Sequence, residues 1–272
     1  MKHKFLVLGF PYTLFLCIAI LGQDTKQKGI ITLEGTIGGI NFYIRKGKAF
    51  ARKAGGGFNA KAIKSSPKMV RVRENNSEFG NCSSVKKEFK LAVRPFMTDY
   101  NDGTLHGRMM RLFQEIKNFD SVSERGKRNV SNGISSAMGK HLLADFDFTL
   151  HCKTLEILKT KISFEASAVR FDQLSFAGNE LPFLHHATHL EIKFGILNFD
   201  FSSYESSWCQ GAVLLLKKED FLSANSFLAA SPLPENSRQI AVLSLRYFQE
   251  VGGDFYALKG EGCVGVCVLE VC

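Results

Sequence analysis

The feature that most constrains the fold is the stretch Lys28–Lys53, KGIITLEGTIGGINFYIRKGKAFARK. Its apolar residues recur at every second position, which is typical of strands with one apolar face. Gly35–Gly39 and Lys46-Gly47 supply the positive φ angles that tight reversals need. Because two or three strands alone are only marginally stable, we expect this meander to pack on something else. The predicted strands are Ile31–Leu33, Ile40–Ile44 and Lys48–Lys53.

Charge is distributed unevenly along the 272 residues, whose formal net charge is +9. Between Lys26 and Arg94 there are 16 Lys and Arg against 4 Asp and Glu, whereas Asn129–Cys272 has 11 against 16. A basic half joined to an acidic half favours either a polyanion-binding face or head-to-tail self-association. The hydrophobic content of 45%, with 24 Phe, argues against general disorder.

Segments at both ends of the chain resemble one family. The N-terminal segments are KGIITLEGTIGGINFY, GKAFARKAGG and Arg71–Asn75 with Glu78–Gly80; the C-terminal ones are Phe248–Val251 and Tyr256–Lys259. Together they are similar to a family of uncharacterised Bacteroidota proteins. The resemblance extends from about Lys26 over nearly the whole chain, and it implies no activity.

The first residues carry a pattern of their own. Lys2, His3 and Lys4 precede the uncharged apolar run Phe5–Leu21, which is typical of a signal peptide and on the short side for a membrane span. Residues 1–23 are therefore predicted to be a signal-like segment, with the protein exported to the periplasm or cell surface. No stable membrane span is expected in the mature chain. The alternative is a non-native extension from a mis-assigned start, which would place the protein in the cytoplasm.

Beyond this segment the sequence divides into three parts. A basic β-meander with a glycine-rich arm occupies residues 24–68, a helical segment 69–140 and a β-sandwich domain 141–272. The stripe that predicts the clearest helix consists of Leu105, Met109, Leu112, Phe113 and Ile116.

Strand-like alternation follows from Leu142 to Leu150 and continues to a closing strand near Val264–Val271, with Gly252-Gly253 as a hairpin turn. The predicted fold class is α+β: an N-terminal β-meander and two helices followed by a C-terminal antiparallel β-sandwich.

Known catalytic and cofactor motifs are lacking. The spacing Gly133…Gly139-Lys140 resembles a phosphate-binding loop, but it has one residue too many and His141 in place of Ser or Thr. No cysteine pair has the C-x-x-C spacing of a redox or zinc-ribbon motif. Cys263, Cys267 and Cys272 are interleaved with Val and Leu, which predicts a buried final strand containing thiols. No cofactor is expected.

The histidine-rich segment His185–His189, with Glu191, is the sharpest local cluster. On a strand, His185, His189 and Glu191 would share one face, so a three-ligand metal site is conceivable. We interpret the histidines as structural, because nothing else in the sequence completes such a site. A metal-dependent hydrolase is therefore the second alternative function.

Basic residues are interleaved with aromatic ones in the meander. A sheet that presents cations and aromatic rings can bind single-stranded nucleic acid by phosphate neutralisation and stacking. Tyr43 and Phe50 are the candidate stacking platforms. The candidate polyanion-binding residues are Arg45, Lys46, Lys48, Arg52, Lys53, Arg71 and Arg73.

The function predicted from the sequence is that of a non-catalytic structural or assembly protein, with a surface or phage-like particle as its setting. It is expected to self-associate or to bind a protein partner. The first alternative is a polyanion- or nucleic-acid-binding module that uses the basic N-terminal half.

Overall fold

The computed structural model describes residues 25–27, 32–54, 60–97, 100, 102–160, 163–165, 168–170, 176–177, 181–218, 221–222, 226–228 and 236–272. The chain divides into two units, Met1–Met69 and Val70–Cys272. The signal-like segment at residues 1–23 lies outside the described residues, so export and its cytoplasmic alternative stay predictions. Among the described helices, none combines the length and the apolar character that crossing a membrane requires.

The first unit contains a four-stranded antiparallel sheet in the order β1-β4-β3-β2. Its elements are β1 Thr25–Lys26, β2 Gly35–Ile37, β3 Ile40–Arg45, β4 Lys48–Lys53, helix α1 Ala60–Ser65 and a 3₁₀ turn at Pro67–Met69. Of the strand predicted at Ile31–Leu33, Ile31 lies outside the described residues, and Leu33 does not belong to a strand. Gly38 and Gly39, with φ of 56° and 78°, form a two-residue hairpin turn, so the paired strand directly precedes them.

The second unit begins with helices and ends with strands. Its helices are α2 Val70–Val93, α3 Leu105–Lys117, α4 Val130–Gly133, α5 Ala137–Ala144 and α6 Lys153–Thr160, with a 3₁₀ turn at Arg94–Phe96 after α2. Its strands are β5 Ser163–Glu165, β6 Ala168–Arg170, β7 Phe176–Ala177, β8 His189–Phe199, β9 Ser206–Lys217, β10 Phe221–Leu222, β11 Ser226–Leu228, β12 Arg238–Val251, β13 Asp254–Ala257 and β14 Val264–Val271.

A five-stranded antiparallel sheet dominates this unit, in the order β13-β12-β8-β9 with β14 also paired to β12. Successive residues of β12 enter two different cores: Ile240 and Val242 face one, and Leu243 and Leu245 the other. The sheet is therefore buried on both faces, which explains why its strands read as continuous apolar runs. The hairpin turn predicted at Gly252-Gly253 is confirmed.

Helices cover one face of this sheet. The predicted stripe of α3 is buried along its length, and Phe89 of α2 lies fully buried between α3 and the sheet. On the other face, Leu155 and Leu158 of α6 pack against the strands. The predicted α+β class is confirmed: an N-terminal antiparallel meander, helices in the middle and a C-terminal antiparallel sheet.

The strand predicted from Leu142 to Leu150 is wrong, because its first part belongs to helix α5. The Ser136 hydroxyl accepts a hydrogen bond from Gly139 N at 2.9 Å and caps the start of this helix. After the helix, Asp147 forms an isolated bridge with Cys267, and Phe148 N donates a hydrogen bond to the Val266 carbonyl at 2.9 Å, so the segment contacts β14 without forming a strand of the sheet. The predicted boundary at residue 140 falls inside α5.

Close helix packing accounts for the glycine spacing that resembles a phosphate loop. A Cβ atom on Gly133 would overlap the carbonyl oxygen of Ile116 in α3, and one on Gly139 would overlap the carbonyl oxygen of Gly133. These two glycines let α3, α4 and α5 approach one another at backbone distance.

A buried carboxylate ties α2 to α3 and to the segment before α4. Glu78 accepts hydrogen bonds from Lys117, from Gly126 N at 2.8 Å and from Arg128 Nε at 2.9 Å. Its side chain is only 3% exposed. Burial alone would raise the pKa of Glu78, but the hydrogen bonds from Arg128, Lys117 and Gly126 lower that pKa to about 2.

The packing role of Gly139 can be tested by adding a single methyl group. Gly139→Ala should lower the free energy of unfolding by about 3 kcal/mol, because the methyl group forces the helices apart. Gly107→Ala in α3 is the matched control: nothing lies within 4 Å of its added Cβ, so it should be neutral or stabilising by about 0.5 kcal/mol. Urea unfolding measures both, and equal effects would contradict the packing explanation.

The role of Glu78 predicts a pH-dependent loss of stability. Glu78→Gln should cost about 3 kcal/mol at neutral pH, because it leaves the partly buried cations of Lys117 and Arg128 without their counter-charge. The folded pKa lies below the ordinary value of 4.5, so the carboxylate's contribution is present above pH 4.5 and is lost as the pH falls toward 2. The difference between wild type and variant should shrink over that interval in urea titrations.

Glu115→Gln is the matched control, since Glu115 makes an exposed pair with Arg111 on α3. It should change the free energy of unfolding by less than about 0.5 kcal/mol. A loss as large as that of Glu78→Gln would contradict the assignment.

Candidate functional site

The pairing register of β1, β4 and β3 gathers cations and aromatic rings on one face of the N-terminal sheet. Phe50 lies opposite Tyr43 on one side and opposite Lys26 on the other. Alternation then places every second residue of β3 and β4 on this same face. We call it the cationic face; it consists of Lys26, Tyr43, Arg45, Lys48, Phe50 and Arg52.

Every charged side chain of the cationic face is positive. Arg45 and Lys48 are directly opposed cross-strand neighbours, an arrangement in which like charges destabilise the strand pair. The Arg52 guanidinium lies 5.6 Å from the centre of the Tyr43 ring, which is stacked on Phe50 with 5.7 Å between centroids. The four cations of this face are Lys26, Arg45, Lys48 and Arg52. None of them has an ion pair with an acidic side chain in the described part of the first unit.

The opposite face of the same sheet is aliphatic. Ile37, Ile40 and Ile44 are 59%, 43% and 46% exposed, and Phe42 and Lys53 lie on the same side. We call this the aliphatic face. Because no described residue of the first unit is buried, neither face of the sheet forms a core of its own.

The predicted polyanion-binding residues of the first unit therefore do not all lie on one face. Arg45, Lys48 and Arg52 share the cationic face, whereas Lys46 lies in the turn and Lys53 points to the aliphatic side. The other two, Arg71 and Arg73, belong to helix α2 of the second unit, where Arg71 forms an ion pair of 2.9 Å with Glu74. Sequence reasoning missed Lys26, because only the β1–β4 pairing brings it to this face.

The histidine segment does not assemble a metal site in the described part of the chain. His185 is exposed, and its ring makes edge-to-face contact with that of His186. His189 is buried, with Nδ1 at 2.9 Å from the Thr188 hydroxyl, while Glu191 pairs with Lys193 at 2.8 Å. No group of three potential metal ligands occurs among the described residues.

Two of the cysteines are packing residues rather than nucleophiles. Burial raises the pKa of the Cys82 thiol to about 11 and that of Cys267 to about 12, so both are protonated at neutral pH. Cys267 is buried in β14 and Cys263 is buried just before it, as predicted, whereas Cys272, which the prediction also placed in the buried strand, follows β14 and is exposed.

A second exposed surface lies at the β12–β13 hairpin, where β12 continues past its last partner in β8. Val251, Phe255 and Tyr256 are 55%, 48% and 56% exposed. Glu250 and Asp254 lie beside them as cross-strand partners of Phe255 and Val251. We call this surface the acidic hairpin.

Comparison of the chain with protein-family models, curated protein sequences and solved structures finds no match. The resemblance to Bacteroidota proteins therefore stays a prediction.

Proposed function

We propose that this chain is a non-catalytic assembly protein in which the N-terminal sheet of one copy binds the acidic hairpin of another. The observation that carries the proposal is that the four cations of the cationic face have no acidic partner in the described part of their unit. The aliphatic face of the same sheet is also exposed. A small sheet with two open faces is marginally stable alone and gains stability when a partner covers it.

The acidic hairpin is complementary to this sheet in both charge and polarity. It offers carboxylates to the cations, and exposed apolar side chains to the isoleucines. Since the sheet and the hairpin are different surfaces, the contact is heterologous and generates a ring when it closes or a filament when it does not. Such growth would suit the predicted setting of a surface or phage-like particle.

Two variants can each disable one half of the contact. Ile40→Thr with Ile44→Thr alters the sheet but keeps β-branched residues, and Phe255→Thr with Tyr256→Thr alters the hairpin. By sedimentation velocity, wild type should form larger species as concentration rises, and each variant alone should remain monomeric. An equimolar mixture should yield dimers and nothing larger, because only one working sheet then meets one working hairpin.

Val122→Thr is the control, since Val122 is 84% exposed and lies on neither surface. It should assemble like wild type. A wild-type protein that stays monomeric at high concentration and low salt, or a mixture that forms no dimers, would overturn the proposal.

A second function is favoured by the opposed pair Arg45 and Lys48 and by the arginine over the aromatic stack. We infer that the cationic face can also bind a single-stranded polyanion, with phosphates between the cations and bases against Tyr43 and Phe50. Like charges held on adjacent strands are relieved when an anion lies between them.

Salt dependence distinguishes this binding from nonspecific attraction. For a single-stranded DNA oligonucleotide, Arg45→Gln with Lys48→Gln should reduce the slope of log K against log salt by about 1.4, because each phosphate contact contributes about 0.7. Lys53→Gln, on the aliphatic side of the same strand, should leave the slope almost unchanged. Fluorescence anisotropy at several salt concentrations measures the binding constants. Equal slopes in all proteins, or no binding at low salt, would exclude the cationic face as a binding site for single-stranded DNA.

A further inference from the structure

The second unit has a cleft of about 630 Å³ where the C-terminal half of α2 ends. Its lining residues are Lys86, Lys87, Lys90, Leu91, Arg94, Met97, Tyr100 and His106. We call it the basic cleft. It contains four cationic side chains and no carboxylate among these residues, and it shares no lining residue with the acidic hairpin.

The cations in this cleft follow the helix surface. Lys86 and Lys90 are four residues apart on α2, and Arg94 follows four residues later, so their side chains form one row. Lys87 is neutralised by Glu88 at 3.0 Å. In the described part of the chain, neither Lys90 nor Arg94 has an acidic partner, and both side chains are exposed.

A contact across the cleft adds to this positive potential. The Lys86 Nζ lies 2.9 Å from Nδ1 of His106 in α3, so the ammonium group donates to the imidazole instead of to a carboxylate. The helix dipole explains why cations are favourable near the C-terminal end of α2. It does not explain a lysine two turns earlier, directed at a histidine of another helix.

The remaining lining is apolar or aromatic. Leu91 is 52% exposed, Met97 is buried beneath the cleft, and the Tyr100 hydroxyl accepts a hydrogen bond from Leu150 N at 3.4 Å. The volume falls in the range of small-molecule sites. A bare inorganic anion would leave most of it unfilled, so the lining fits an anion attached to an apolar body.

We propose that the basic cleft binds an organic phosphate. Its phosphate group lies among Lys86, Lys90 and Arg94, and its apolar body packs on Leu91, Met97 and Tyr100. Phosphate fits this cation row because the arginine fork can bond two of its oxygens while the lysines act as point charges. A mononucleotide and a lipid phosphate share this chemistry.

Calorimetric titration of the full chain tests the proposal with four probes: inorganic phosphate, phenyl phosphate, adenosine monophosphate and a soluble short-chain lysophosphatidic acid. Phenyl phosphate should bind about tenfold tighter than inorganic phosphate, because its ring covers the apolar lining. Tighter binding of adenosine monophosphate would indicate a nucleotide, and tighter binding of the lysolipid a lipid phosphate.

Variants separate the roles of the cations and the apolar residues. Lys90→Gln with Arg94→Gln should weaken phenyl phosphate binding at least about tenfold, through lost charge-assisted bonds. Leu91→Ser should remove the preference for phenyl over inorganic phosphate while inorganic phosphate still binds. All three substituted side chains are exposed, so the variants should fold, and thermal unfolding of each variant checks this.

Arg111→Gln, an exposed cation of α3 outside the cleft, is the matched control and should bind like wild type. Arg45→Gln with Lys48→Gln should also bind like wild type, which separates the basic cleft from the cationic face. Equal affinity for phenyl and inorganic phosphate, or unchanged binding in the Lys90 and Arg94 double variant, would overturn the proposal.

Discussion

The second unit depends on one buried aromatic cluster centred on Phe89. Its ring meets Phe113 of α3 at 5.6 Å, Phe199 at the end of β8 at 5.2 Å and Phe201 just beyond at 5.9 Å. A single side chain thus joins two helices to the central sheet, and aromatic pairs of this kind contribute beyond their buried area. The Phe89 cluster fixes α2 and α3 against the sheet. The ion pairs of Glu78 on α2, and the close approach of Gly133 in α4 to Ile116 in α3, depend on the positions of these two helices.

The described part of the first unit has no equivalent of this cluster. Its longest strands there are six residues each, its described rings are half-buried, and the isoleucines of its sheet are largely exposed. Hydrogen bonding holds the strands in register, and the Gln27 side chain adds bonds to Leu33 and to the Phe50 carbonyl. A sheet stabilised mainly by its ladder leaves two faces open for partners, whereas the second unit uses both faces of its sheet internally.

Local patterns predicted the α+β class, the α3 stripe, the hairpin turn at Gly252-Gly253 and the closing strand β14, because residues close together in the sequence specify each of the last three. They failed at Leu142–Leu150, because the first residues of this alternating stretch belong to helix α5. The residue that caps this helix, Ser136, lies before the alternating stretch begins. Features that depend on pairing or packing were beyond local reasoning. Lys26 reaches the cationic face only through the β1–β4 register, and the basic cleft needs His106 and Tyr100 from outside α2.

The pairing of cations distinguishes charges that are neutralised within the fold from charges that are not, which the net charge does not show. Lys117 and Arg128 on Glu78, and Arg108 on Asp102 at 2.7 Å, are partly buried, each bonded to a carboxylate, and Arg108 also donates to the carbonyls of Asp147 and Phe148. Their charges are neutralised within the fold, so they cannot serve an external anion without destabilising it. Arg45, Lys48, Lys90 and Arg94 are exposed and lack such carboxylates among the described residues. An anionic partner gains most from these positions, because binding there removes repulsion without breaking a native ion pair.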